Sequence, residues 1–118
     1  MDLFTDFPFD SDMEYIYFIF HSVNKIYFDD TIEVNEIRIC KNLNTKKKNP
    51  VEGYCEYLPK GKKIRLSFSD NYFCGKLFVE TIIHEMIHVW QYQNLGVINH
   101  CNSFKYWEIY FITKNFEI

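Results

Sequence analysis

The 118-residue chain contains no alanine at all, while isoleucine, phenylalanine, tyrosine, asparagine and lysine are abundant. This bias reads as that of an AT-rich coding sequence rather than as a functional signal. No cysteines stand in C-x-x-C spacing: Cys40, Cys55, Cys74 and Cys101 are scattered singly. A cysteine-based structural zinc site is therefore excluded, and in a reducing compartment the four read as free, mostly buried thiols. No apolar run approaches the length needed to cross a bilayer, so no membrane association is expected. The start, Met1-Asp2-Leu3-Phe4-Thr5-Asp6, lacks the positive flank of a signal peptide, and an intracellular location is expected. Repeats and low-complexity segments are absent as well.

What is present is a large apolar payload, with 47% hydrophobic and 19% aromatic residues, which rules out a disordered chain. The length suits one domain, 1–118, with residues 1–10 as an extended arm. The net charge of −3 is unevenly spread. Residues 1–36 hold nine acids and one base, whereas residues 37–76 hold ten bases and three acids. A basic middle on an acidic protein is either a set of solvated turn lysines or a surface, basic residues 38–65, for an anionic partner.

Ser11 or Asp12 can cap a first helix with Glu14 in its first turn, and apolar residues at helical spacing from Tyr15 to Tyr27 continue it to about Phe28. His21 lies on this helix without any metal-ligand spacing and reads as an ordinary histidine. Val34, Ile37 and Ile39 begin a β-rich stretch, followed by a polar loop over 41–50. Val51 to Leu58 reads as a strand that Gly53 bends or bulges. After the turn at Pro59–Lys62, Ile64, Leu66 and Phe68 alternate with Lys63, Arg65 and Ser67, placing the first set in the core and the second in water. Ser69-Asp70-Asn71 offers caps for a long helix from about Tyr72 to Asn94, which Gly75 weakens near its start and Gly96 terminates. Asn102 or Ser103 can cap a last helix from Phe104 to about Asn115, with Phe104, Trp107, Ile109, Phe111 and Ile112 mostly buried. The order is helix, three strands, helix, helix: an α+β domain with a small antiparallel sheet.

The long helix carries His84-Glu85-Met86-Ile87-His88. At about 100° per residue the two histidines share a face one turn apart, and Glu85 projects beside them. Two imidazoles and a carboxylate at this spacing are a zinc site with a general base. By composition alone such a match arises with odds of about one per cent. Ile82, Ile83 and Ile87 force this helix into the core, where an unpaired His-Glu-His cluster is costly and a bound cation removes the cost. A catalytic zinc needs a third protein ligand. His100 lies twelve residues after His88, just past the Gly96 turn, and Glu108 lies twenty residues after it. About 12 Å separates the two along a helix, so they compete for one position.

Two segments carry a family resemblance: His84-Glu85-Met86-Ile87-His88-Val89-Trp90-Gln91, and His100-Cys101-Asn102-Ser103-Phe104-Lys105-Tyr106-Trp107. Together they resemble the SprT-like metallopeptidases, which include the DNA–protein crosslink protease Spartan. The resemblance implies a zincin-like minimal metalloprotease domain with His100 as the third ligand and Phe104 as the aromatic four residues on. Gly53-Tyr54-Cys55 also resembles the family's layout. Cys101 stands where the family has glycine, and the zinc-ribbon extension of some members is not seen.

The expected activity is peptide hydrolysis on a protein substrate. Zn2+ is held by His84, His88 and His100, and Glu85 moves the proton to and from the attacking water. An edge near Lys63–Ser67 is the first place to look for strand addition by substrate. The family's DNA-dependent members favour phosphate contact by the basic middle, with Tyr54 and Tyr57 as stacking partners. The rival functions are a non-catalytic, zinc-stabilised module that binds nucleic acid or protein, and a metal-free helical adaptor. Glu85 argues against the first, since a purely structural site has no need of a carboxylate there, and metal analysis after purification decides the second.

Overall fold

A computed structural model of the chain describes residues 9–10, 12–40, 53–72 and 74–118. The Ser11 cap, the 41–50 loop with Lys46–Lys48, Val51, Glu52 and all of the expected arm except Phe9 and Asp10 lie outside these residues.

Helix α1, Met13–Tyr27, begins where Asp12 adopts extended backbone and its carboxylate accepts the Glu14 N–H at 2.8 Å. Its inner stripe of Ile16, Ile19, Phe20 and Val23 is buried. Asn24, also buried, clamps the following loop: it accepts the Ile32 N–H and donates to the Ile32 carbonyl, each at 3.0 Å.

The sheet comprises β2 (Glu36–Cys40), β3 (Gly53–Leu58) and β4 (Lys63–Ser69) in the order β2-β4-β3. It is mixed, not antiparallel. The tight turn joins β3 and β4 as an antiparallel pair, but β2 lies on the other side of β4 and runs parallel to it. The chain thus builds one edge, then the opposite edge, and fills the centre last. Two short strands, β1 (Phe9–Asp10) and β5 (Asn71–Tyr72), pair separately.

The central place of β4 corrects two expectations. Lys63–Ser67 offers no free edge, because both of its sides are paired. Ser67 is fully buried rather than solvated. Arg38 donates to its hydroxyl at 2.8 Å from β2, and Glu56 lies 3.4 Å from it on β3, so neighbouring strands roof the outer face over it. Arg65 joins the same group through two 3.3 Å contacts with Glu56. Gly53 neither bends nor bulges β3, for it pairs in register with Phe68. What it supplies is proximity: a Cβ there would stand 3.1 Å from both the Phe68 ring and Thr81 Cγ2.

Helix α2, Gly75–Leu95, starts at Cys74 without a side-chain cap. The expected caps are used elsewhere, since Ser69 ends β4 and Asn71 begins β5. Its far end is as expected: Gly96 sits in the left-handed region at φ 70°, and its N–H returns to the Tyr92 carbonyl. Phe78, Ile82, Ile83, Met86, Ile87 and Val89 are all fully buried, because α1, α3 and the sheet enclose α2. A helix that is apolar around most of its circumference, apart from the stripe that carries His84, Glu85 and His88, belongs in such a position.

Helix α3, Asn102–Ile112, follows Cys101, again with no side-chain cap. Phe104 and Phe111 are buried and Trp107 packs against Phe28 and Trp90, but Ile109 and Ile112 are 64% and 56% exposed. Residues 104, 107 and 111 form one stripe on the core, and Ile109 lies about 140° around the helix from Phe104.

Candidate metal centre

His84, Glu85 and His88 are carried by the most deeply enclosed helix of the fold, and His100 by the loop between α2 and α3. That loop folds back because Gly96 reverses the chain. The nitrogen donors of His84, His88 and His100 all lie within 4.8 Å of one another. His84 Nε2 and His100 Nε2 are 3.2 Å apart. Two imidazoles on one tetrahedral ion, with metal–nitrogen bonds of about 2.0–2.1 Å, place their nitrogens about 3.3 Å apart, so the spacing fits. Among the described residues these three histidines form the group that could hold a metal ion, and neither Glu108 nor His21 belongs to it.

Phe104 forms the apolar wall of the cluster. Its ring centre is 4.7 Å from His84, 4.9 Å from His88 and 4.7 Å from His100, and it stacks on the His88 ring. Burial drives the His84 pKa down to about 4, with the neighbouring His88 and His100 adding to the effect. Burial also lowers that of His88, against an opposing hydrogen bond from Gln91. Both imidazoles are thereby neutral near pH 7, the state that coordinates metals.

Glu85 is buried, and that burial pushes its pKa up to about 8, opposed by a hydrogen bond to its carboxylate from the Cys55 backbone. The acid on α2 is therefore tied to β3, an edge strand of the sheet. The Cys55 thiol is pushed up to about 12 by burial and then by the nearby Glu85 and Glu56, which makes it a poor nucleophile. All four thiols are free as expected, but they are not mostly buried: Cys40, Cys55 and Cys74 are half-buried and Cys101 is exposed.

Beside His84 and Glu85 opens a cleft of about 310 Å³, lined also by Gly53, Leu77, Glu80, Thr81, Glu117 and Ile118. The Glu80 carboxylate at its side accepts the Glu117 N–H. Farther along the same helix and strand, Tyr57 of β3 stacks on Tyr92 of α2, with ring centres 4.6 Å apart, at the wall of a second cleft of about 560 Å³.

The structure brings together the three histidines and Phe104 that the sequence singles out. It adds groups that the sequence does not single out: Gln91, Asn99 and Ser103 around the histidines, and the Cys55 N–H on Glu85. Gln91 could have been found, since it lies three residues after His88 on the same helical face.

An α+β domain with a mixed three-stranded sheet, a buried central helix and three converging imidazoles is thus a candidate metalloprotein. Residues 16–115 match the SprT-like family, and the chain belongs to it. That family points to a metallopeptidase-like domain. No characterised protein and no solved structure matches the chain. No helix among the described residues is long and apolar enough to cross a membrane.

Proposed function

We propose that the chain is a zinc-dependent peptidase with His84, His88 and His100 as metal ligands and Glu85 as general base. One observation carries this reading: three imidazoles converge, and one of them, His84, lines a cleft together with the buried carboxylate of Glu85. A structural site would need the imidazoles but not the acid. A zinc ion held there would supply a bound water of lowered pKa and polarise a substrate carbonyl.

Glu85 accepts the proton of the attacking water and returns it to the leaving amine. A carboxyl whose proton affinity is raised by burial suits transfer in both directions near neutral pH. The Cys55 N–H fixes its orientation. Phe104 keeps water off one side of the imidazoles, which strengthens electrostatic interactions within the cluster. Extended substrate adds to β3, the sheet edge that adjoins Glu85, in place of the expected edge at Lys63–Ser67. Contact with DNA-associated substrates falls to Lys60, Lys62 and Lys63, which are exposed at the β3–β4 hairpin, while Arg38 and Arg65 are engaged by Glu56.

The test is cleavage of an unfolded protein by the zinc-loaded chain. Cleavage should stop on chelation and return with added zinc. A chain that holds one equivalent of zinc without cleaving would instead be a zinc-stabilised binding module, and one that holds none would be neither.

A further inference from the structure

Gln91 is a fully buried amide in the middle of the fold, and all its hydrogen-bonding atoms are engaged around the metal site. Its Oε1 lies 2.8 Å from Nδ1 of His88 and accepts the Asn99 backbone N–H at 3.4 Å. Its Nε2 donates to Ser103 Oγ at 2.8 Å and to Asn99 Oδ1 at 3.3 Å. Asn99 Oδ1 in turn accepts the Cys101 backbone N–H at 3.0 Å.

Two backbone N–H groups set the polarity of this chain of bonds, because a backbone N–H can only donate. The Cys101 N–H identifies the facing Asn99 atom as oxygen, so the Gln91 atom opposite must be the NH2 group. The Asn99 N–H independently identifies the other Gln91 atom as oxygen. An oxygen facing His88 Nδ1 requires that nitrogen to carry the proton. Nε2 then keeps the lone pair, and of the two ring nitrogens only Nε2 can coordinate.

We infer that Gln91 is the positioning residue of the centre: it fixes His88 as the Nδ1–H tautomer and anchors to α2 the loop that carries His100. Its two functions are separable by chemistry. The oxygen end holds His88, and the amide end holds Asn99 and Ser103 on either side of His100. A residue bonded to the nitrogen of a ligating histidine that faces away from the metal orients the ring and typically accounts for about 10–100-fold in metal affinity. The inference rests on reading the three histidines as a metal site, but its main test needs no metal.

The experiment is nitrogen–proton correlation NMR of the metal-free chain, which reads each histidine's tautomer, together with zinc titration of wild type, Gln91→Glu and Gln91→Met. His88 should be Nδ1–H in wild type and in Gln91→Glu, whose carboxylate still accepts from it. Gln91→Met, close in size but without either function, should show a mixture of tautomers and bind zinc about 10–100-fold more weakly. An Asn99→Ala chain should keep the His88 tautomer yet lose zinc affinity through His100. An Nε2–H tautomer in the wild-type chain would overturn the inference, as would unchanged tautomer and affinity in a folded Gln91→Met. Absence of peptidase activity would count against the proposed function while leaving the tautomer result standing.

Discussion

His100 Nε2 stands 3.2 Å from His84 Nε2, although sixteen residues and a chain reversal separate them. Two imidazoles have little to gain from such closeness beyond one shared proton, whereas a common cation uses a lone pair from each. Replacing His84, His88 or His100 by Ala should each abolish retention of zinc through purification. Glu108→Ala should retain it, because Glu108 lies outside the cluster. Metal analysis of the four proteins checks this, and loss of zinc in Glu108→Ala would reverse the assignment of the third ligand.

The pH dependence of stability follows from the directions of two shifts. Glu85 holds its proton more tightly folded, at about 8, than at its ordinary value of 4.5. The stability that goes with its neutral form is therefore complete below about pH 4.5 and is lost as pH rises through about 8. His84, lowered from 6.5 to about 4, acts with the opposite sign: stability rises with pH between those values. Glu85→Gln removes only the first effect. In the metal-free chain the variant should match wild type near pH 4 and become progressively more stable towards pH 8, by at most about 1.4 kcal/mol per unit of the Glu85 shift. Chemical denaturation across this range checks it; a pH-independent difference would contradict the buried, proton-holding state of Glu85.

Gly53 is needed for the approach of β3 to α2. Gly53→Ala should cost about 1–3 kcal/mol, because the new Cβ meets Phe68, Thr81 Cγ2 and the Ser67 carbonyl oxygen together. Thr81→Ser removes one of these obstacles and should recover part of the loss in the double variant. Urea unfolding of the set measures it. Additive effects would mean that the strand does not press on the helix at this point.

Much of this arrangement was legible in the chain. Two histidines four apart with an intervening glutamate can be read from helical geometry alone, and Gly96 announces the turn that returns His100. Alternation in β4 gave the inward set Ile64, Leu66 and Phe68 correctly. It could not say that β4 would be central, because a strand's period does not encode its neighbours. Alternation alone therefore places Ser67 in water, although Arg38 and Glu56 reach it from strands on both sides. Ile109 and Ile112 read as core from the sequence because apolar residues on a short helix look alike until the packed stripe is known. The spacing of Gln91 to His88 is legible, but its partners Asn99 and Ser103 are not, because they belong to a loop and helix whose placement depends on tertiary contacts.

The hairpin lysines give a further test through salt. Substituting Lys60, Lys62 and Lys63 together by Gln should weaken binding to single-stranded DNA. It should also flatten the log–log salt dependence by about 0.7 for each phosphate that is no longer neutralised. Fluorescence anisotropy at several salt concentrations measures the slope. An unchanged slope would remove the hairpin from any anionic interface.

The central claim is that Glu85 performs chemistry on a site that His84, His88 and His100 provide. It is tested most directly by measuring zinc content and cleavage of an unfolded protein for wild type and Glu85→Gln side by side. Equal zinc in both, with cleavage lower by about 10²-fold or more in the variant, is the predicted result. Equal zinc with equal cleavage would contradict it.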